Sequence, residues 1–315
     1  MDLPGPKLRT GLIASKPARD KKGDYLRLRI GDRLLVVREG ASVPRADAAP
    51  IGRIACSLDE AFAATHRGHH IWFDDGKVGG LAETVDPDWI NVRITSAPPK
   101  GAKLRAGKGI NLPDARLDID LLGSHSQDAL RFAVEFADLV GLSFVSRASE
   151  VERVHAYLDA HARPELGIVL KIETRRAFLH LPALILAALA GGRPAGVMIA
   201  RGDLAVECGY ERLAEVQEEI LWLSEAAHMP VIWATEVLDR LATTGRPSRA
   251  EITDAAMSSR AECVMLNKGP QITEAVRVLD DILRRMRQHQ AKKRSLLRRL
   301  GTSDYTHTPP PLANP

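Results

Sequence analysis

Three stretches of the chain put charged or hydroxyl side chains directly behind short apolar runs: Lys171-Ile172-Glu173-Thr174, Arg201-Gly202-Asp203 and Ala234-Thr235-Glu236. If those runs are parallel strands, these residues sit at strand carboxyl ends, where α/β folds gather function. Glu173 and Asp203 then end successive strands, and their side chains can converge. Two hard carboxylates suit Mg2+, which keeps waters and takes its remaining oxygens from a phosphate or carboxylate substrate. Lys171, one position before the turn, places an ammonium beside developing negative charge. Gly202, lacking a Cβ, lets the backbone approach a ligand closely. A single Lys or Glu at a strand end is more often a solvated loop residue. Three consecutive polar strand ends favour a site for metal-assisted chemistry on an anion. The spacing leaves the reaction class open.

The elements that must position these residues show as a change of texture near residue 126. From about 11 to 105 the chain alternates in short runs, as in Tyr25-Leu26-Arg27-Leu28-Arg29-Ile30 and Trp89-Ile90-Asn91-Val92-Arg93-Ile94, with Gly-Asp, Asp-Asp-Gly and Pro-Asp turns between them. This predicts a small β domain. Further on, continuous apolar runs at 139–145, 167–172, 196–200, 230–233 and 263–266 alternate with helical stretches at 148–162, 176–190, 213–227, 236–240, 249–260 and 272–290. That pattern predicts a parallel sheet buried on both faces. With Met1-Asp2-Leu3 as the end of another strand the count reaches six, two short of a closed eight-stranded (β/α) barrel. Either residues precede Met1 or the sheet is open.

Composition narrows the classes. No apolar run reaches the roughly 18 residues of a membrane span, and the start carries no signal peptide. The cysteines, Cys56, Cys208 and Cys263, are odd in number and far apart, which fits reduced thiols of a cytoplasmic protein better than a disulfide framework or a zinc site. Much of the net charge of +4 sits in the run from Arg284 to Arg299, which holds no aromatic residue for base stacking. A solvated helix end followed by a disordered, basic, Pro-rich tail over 291–315 is the expectation, with no nucleic-acid or membrane partner.

Several motifs then follow one another in a familiar order. Met1-Asp2-Leu3-Pro4-Gly5-Pro6-Lys7-Leu8-Arg9-Thr10-Gly11, Asp74-Asp75-Gly76, Lys108-Gly109-Ile110-Asn111-Leu112-Pro113, Ser143-Phe144-Val145, Lys171-Ile172-Glu173, Ala200-Arg201-Gly202-Asp203-Leu204, Ala234-Thr235-Glu236-Val237-Leu238 and Arg246-Pro247-Ser248-Arg249-Ala250-Glu251 resemble the pyruvate kinase family over about 1–283. The resemblance implies an α/β fold: an incomplete TIM (β/α)8 barrel, about six of eight strands, with an inserted small β-barrel lid. It divides the chain into 1–10 as the start of a barrel strand, 11–105 as lid, 106–290 as catalytic barrel and 291–315 as tail. It implies phosphoryl transfer from phosphoenolpyruvate to ADP, giving pyruvate and ATP in glycolysis, by a homo-oligomer. Glu173 and Asp203 would hold Mg2+ or Mn2+, and Lys171 would stabilise the phosphoryl group in flight. Ser143, the backbone at Ala200, Arg201 and Gly202, and Thr235 would hold the substrate, with Thr235 near the proton path to the enolate carbon. Arg9 would approach the nucleotide phosphates. Asp75 and Lys108 would act when the lid closes, although Asp74 and Asp75 serve equally well as turn formers.

The chain also departs from that family. Two opening barrel strands and their Arg-x-Asn-x-Ser-His motif are absent, so Met1 is expected to be internal to a longer protein and the chain as written to be of doubtful activity. Asp2 matches a potassium-ligand position, but Lys7 stands where potassium-dependent members carry a glutamate. Its ammonium would replace the K+ charge, or else Lys7 is a solvent-facing strand residue. Leu266-Asn267-Lys268-Gly269-Pro270 replaces the usual turn after the last strand, leaving Lys268 to meet nucleotide phosphates. The family's C-terminal effector domain has no counterpart, so sugar-phosphate activation is not expected. Two alternatives stay open: a non-catalytic paralogue, and a metal-dependent lyase or aldolase acting on a pyruvate enolate.

Overall fold

The computed structural model describes residues 1–5, 7–13, 18–20, 23–41, 50–117 and 119–290. The tail expected over 291–315 lies outside the described residues. Two compact units emerge: Met1–Gly5 together with the chain from Leu121 on, and Pro6–Asp120.

The first unit is built on a parallel sheet of six strands, in the order Asp2–Leu3, Leu139–Leu142, Gly167–Ile172, Ala195–Ala200, Val231–Val237 and Cys263–Leu266. It is an α/β half-barrel, six of the eight strands of a (β/α)8 barrel. Strand alternation divides the residues between two faces. Ile168, Leu170 and Ile172 join the large core beneath the helices, while Val169 packs with Met198 and Ala234 on the other face. Lys171 shares the face of Val169. Helices Ala148–Ala160, Leu181–Ala190, Leu213–Ala226 and Ile272–Gln290 cover the first face with Val151, Val154, Leu184, Val216, Ile220 and Leu279.

Four elements differ from the sequence expectation, the first being a helix, Ser124–Phe136, ahead of strand Leu139–Leu142. The stretch 176–190 is two helices, Arg175–Leu179 and Leu181–Ala190, parted at His180. Pro182 near the start of the second helix lacks the N–H that a continuous helix needs. The expected helix at 236–240 is instead the end of strand Val231–Val237, and a helix follows at Asp239–Thr244. Helix Arg201–Cys208 starts where the strand ends. The pattern of Leu204, Ala205 and Cys208 is its apolar face, all three buried.

The second unit holds a seven-stranded sheet and a three-stranded one. The larger runs Ile110–Asn111, His70–Phe73, Val78–Asp86, Trp89–Ser96, Arg33–Arg38, Gly52–Cys56 and Thr10–Ile13, mostly antiparallel. Its core is separate: Leu28, Leu34, Ile54, Phe73, Val92, Ile94 and Leu104 are fully enclosed. Among the described residues no helix is long and apolar enough to cross a membrane.

Candidate active site

The carboxyl end of Gly167–Ile172 brings together the residues with chemical potential in the first unit. Lys171 Nζ donates to Ser143 Oγ at 2.7 Å and lies 3.2 Å from Glu173 Oε1 and 3.4 Å from Asp2 Oδ2. Gly141, on the neighbouring strand, leaves the room for this: a Cβ there would come within 2.8 Å of Asp2 Oδ1 and 3.3 Å of Lys171 Cδ. Glu173 is 5% exposed, and its Oε2 accepts the Phe144 N–H at 2.7 Å. Phe144 presents that N–H from a left-handed backbone, φ 60°, a conformation that costs a non-glycine residue about 1–3 kcal/mol.

Burial pushes the Glu173 carboxyl up from its ordinary value, and the Asp203 carboxylate pushes the same way. The Lys171 ammonium and the Phe144 N–H pull against them. Asp203 lies in the first turn of Arg201–Cys208, close enough for its charge to be felt at Glu173. Among the described residues no three His, Cys, Asp or Glu side chains gather as a metal cluster. Glu173 and Asp203 thus stand as a pair of carboxylates, the first buried and feeling the charge of the second. Such a pair suits a hard divalent ion that takes its other ligands from water and substrate.

The neighbouring strand end is held by different means. Thr235 and Glu236 are both left-handed, at φ 61° and 58°, and Thr235 is β-branched, which makes the conformation rarer still. Thr235 Oγ1 accepts the Gly202 N–H at 2.7 Å, so its hydroxyl hydrogen is left to donate. The Arg201 side chain is buried and turned inward. Its Nε donates to the Ala234 carbonyl at 3.0 Å, and its Nη groups reach the Thr235 carbonyl and Asp254. Ala200 is buried at the helix start. Sequence reasoning missed the Phe144 N–H, Asp254 and the Trp233 ring beneath Arg201. Helix Arg201–Cys208 had a signal in the spacing of Leu204 and Cys208. The Phe144 N–H, however, depends on a local backbone turn, and Asp254, on a helix that the sequence predicts, meets Arg201 by a long-range contact that no local pattern shows.

Lys268 is exposed. The adjacent Gly269 packs so closely that a Cβ would meet the Ala242 carbonyl oxygen at 2.3 Å, while Asn267 Nδ2 donates to Asp239 at 3.0 Å.

In the second unit, Asp74-Asp75-Gly76 turns the hairpin between His70–Phe73 and Val78–Asp86 with φ values of 52°, 55° and 81°. Asp74 is buried and pairs with Lys108 at 2.9 Å and Lys77 at 3.1 Å. Burial alone would raise its carboxyl, but the two ammonium groups hold it below the usual range. Asp75 faces Lys7 at 3.7 Å. Lys7 thus lies outside any strand, its side chain 20% exposed and paired. Arg9 Nη1 donates to the Gly107 carbonyl at 3.1 Å.

A half-barrel of parallel strands with Lys171 beside Glu173 at a strand carboxyl end has the architecture of the (β/α) barrel class, in which sites gather at that face. A family model, pyruvate kinase barrel domain, matches residues 1–271. The chain is 30% identical over 269 residues to pyruvate kinase of Corynebacterium efficiens, covering 84% of this chain and 52% of the relative. The figures are the same for pyruvate kinase of Mycobacterium tuberculosis H37Rv. Against human pyruvate kinase PKLR the identity is 29% over 291 residues, 90% of this chain and 47% of the relative. The chain belongs to the pyruvate kinase family, and it spans about half the length of the curated relatives it matches.

Proposed function

We propose that this chain carries pyruvate kinase chemistry: phosphoryl transfer from phosphoenolpyruvate to ADP, giving pyruvate and ATP in glycolysis. The observation that carries the reading is the Lys171 ammonium bridging Ser143 Oγ and Glu173 at 2.7 and 3.2 Å, with Asp203 acting on the same carboxylate. In the reaction the bond between phosphorus and the enol oxygen breaks as one to the terminal oxygen of ADP forms. The enolate left behind takes a proton at its methylene carbon. Lys171 is the fixed positive charge beside the group in transit, and Ser143 and Glu173 hold it there. Glu173 and Asp203 would hold Mg2+ or Mn2+, which would neutralise substrate oxygens when bound. The backbone of Ala200, Arg201 and Gly202 would orient the substrate carboxylate. Thr235, whose oxygen already accepts from Gly202, has its hydrogen free for the proton path.

The segment 11–105 is proposed as a lid, with 1–10 and 106–290 as the catalytic barrel. Arg9, Asp75, Lys108 and Lys268 would serve the nucleotide, and Asp2 and Lys7 the monovalent-cation position. A cytoplasmic homo-oligomer is the expected form. Pyruvate measured by coupling to lactate formation, with and without ADP, tests the reading. ADP-dependent pyruvate is expected, and Lys171→Met should lower it roughly 10²–10³-fold with the circular dichroism spectrum retained. Pyruvate released without ADP would favour a lyase, and none at all a non-catalytic chain; either result rejects the kinase.

A further inference from the structure

Arg201 opens the candidate site's helix, yet its guanidinium is buried and spent on the protein. It lies 5.0 Å over the Trp233 ring and donates to the carbonyls of Ala234 and Thr235. Two carbonyls cannot balance a buried cation; the carboxylate of Asp254, on helix Arg249–Met257, does so. The planar fork of arginine is what allows one side chain to grip both carbonyls and the acid.

We propose that Asp254 is a positioning residue for the reaction proposed above, on which this inference rests. Asp254 orients Arg201, and Arg201 holds Ala234 and Thr235. Thr235 thereby keeps its left-handed backbone and presents Oγ1 to the Gly202 N–H. The same ion pair has a second consequence. Neutralised by Asp254, the guanidinium does not compete for the substrate anion, so the anion meets backbone N–H groups at the helix start instead. Without Asp254 the cation is free to swing toward the anion, and the turn bearing Thr235 relaxes.

The test reads two quantities on the full chain. One is amide hydrogen exchange at Gly202. The other is deuterium uptake into the methyl group of pyruvate with Mg2+ in D2O, which follows the proton path at Thr235. In Asp254→Ala the Gly202 amide should exchange at least about tenfold faster, with the amides of Gly167–Ile172 unchanged. Methyl exchange should fall about tenfold in kcat, with KM for pyruvate within twofold. Asp254→Glu should restore both. If Asp254→Ala loosens the whole sheet, the isosteric Asp254→Asn decides by the same readings. Unchanged Gly202 exchange overturns the inference, whatever the activity does. Faster Gly202 exchange in Asp254→Ala with methyl exchange unchanged overturns it too. A parent chain that never exchanges pyruvate protons rejects the pyruvate reading itself and leaves Asp254 only as the residue that fixes the contact of Thr235 with Gly202.

Discussion

Ser143 is a small residue with a large expected effect. Its hydroxyl accepts from Lys171 Nζ at 2.7 Å, and a hydrogen bond to a charged group contributes about 1.5–3 kcal/mol. If that bond sets the ammonium on the transferred group, Ser143→Ala should lower kcat roughly 10- to 100-fold as well as lowering the urea midpoint, and Ser143→Thr, which keeps the hydroxyl, should restore most of the rate. A rate that Ser143→Ala leaves unchanged while stability falls would mean that Ser143 only packs. The acids and the lysine around it were legible in the sequence because strand carboxyl ends are a short-range pattern: an apolar run, then Lys-Ile-Glu or Arg-Gly-Asp. What completes the cluster was not. The Phe144 N–H depends on a backbone φ of 60°, and Asp254 reaches Arg201 across 53 residues. In the second unit Asp74 and Asp75 turn the hairpin and also pair with lysines. The turn reading and the charge reading of that motif do not exclude each other.

At the scale of elements, the βα alternation was readable because buried parallel strands are nearly continuous apolar runs. Boundaries failed where backbone geometry decides. Val231–Val237 continues through two left-handed residues, and Leu238 at φ 49° turns the chain into the next helix. Helix Arg249–Met257 is set by a capping box. Ser248 Oγ accepts the Glu251 N–H at 3.3 Å, and Glu251 Oε2 accepts the Ser248 N–H at 2.7 Å. Ser248→Ala should cost about 1 kcal/mol by chemical denaturation and should speed amide exchange in the helix that carries Asp254. Two glycines separate crowding from backbone strain. A Cβ at Gly5 would sit 2.2 Å from the Ser143 carbonyl oxygen, whereas at Gly107, φ 78°, nothing lies within 4 Å. Gly107→Ala should cost about 1 kcal/mol from its left-handed backbone. Gly5→Ala should cost more and should disturb Lys171, since two backbones must part. Equal melting temperatures for the two variants would contradict this.

For the whole molecule, a buried histidine makes stability depend on pH. His155 lies in the core of the first unit. Arginine only donates, so the contact of Arg193 Nε with Nδ1 at 2.8 Å requires that nitrogen bare. The proton then sits on Nε2, which donates to the Ala187 carbonyl at 3.2 Å. Burial lowers the His155 pKa from its ordinary 6.5, and the Arg193 charge lowers it further, against the opposing pull of Asp159 and the Ala187 carbonyl. The unfolded chain therefore binds a proton that the folded chain refuses. The stabilisation is complete above the unfolded value and is lost as pH falls from about 6.5 toward the lower folded value. Every tenfold difference in proton affinity between the two states is about 1.4 kcal/mol. Other groups titrate over the same range, so the reading is a difference between two proteins. His155→Gln keeps a neutral amide in place of the ring and should be less stable at pH 8, because it gives up the close packing of the ring against Gly191, where a Cβ would come within 2.1 Å of Cε1. Its urea midpoint should then fall less steeply than the parent's between pH 7 and pH 5, so that the two curves converge. Parallel curves across that range would show that the Arg193 contact does not hold His155 neutral.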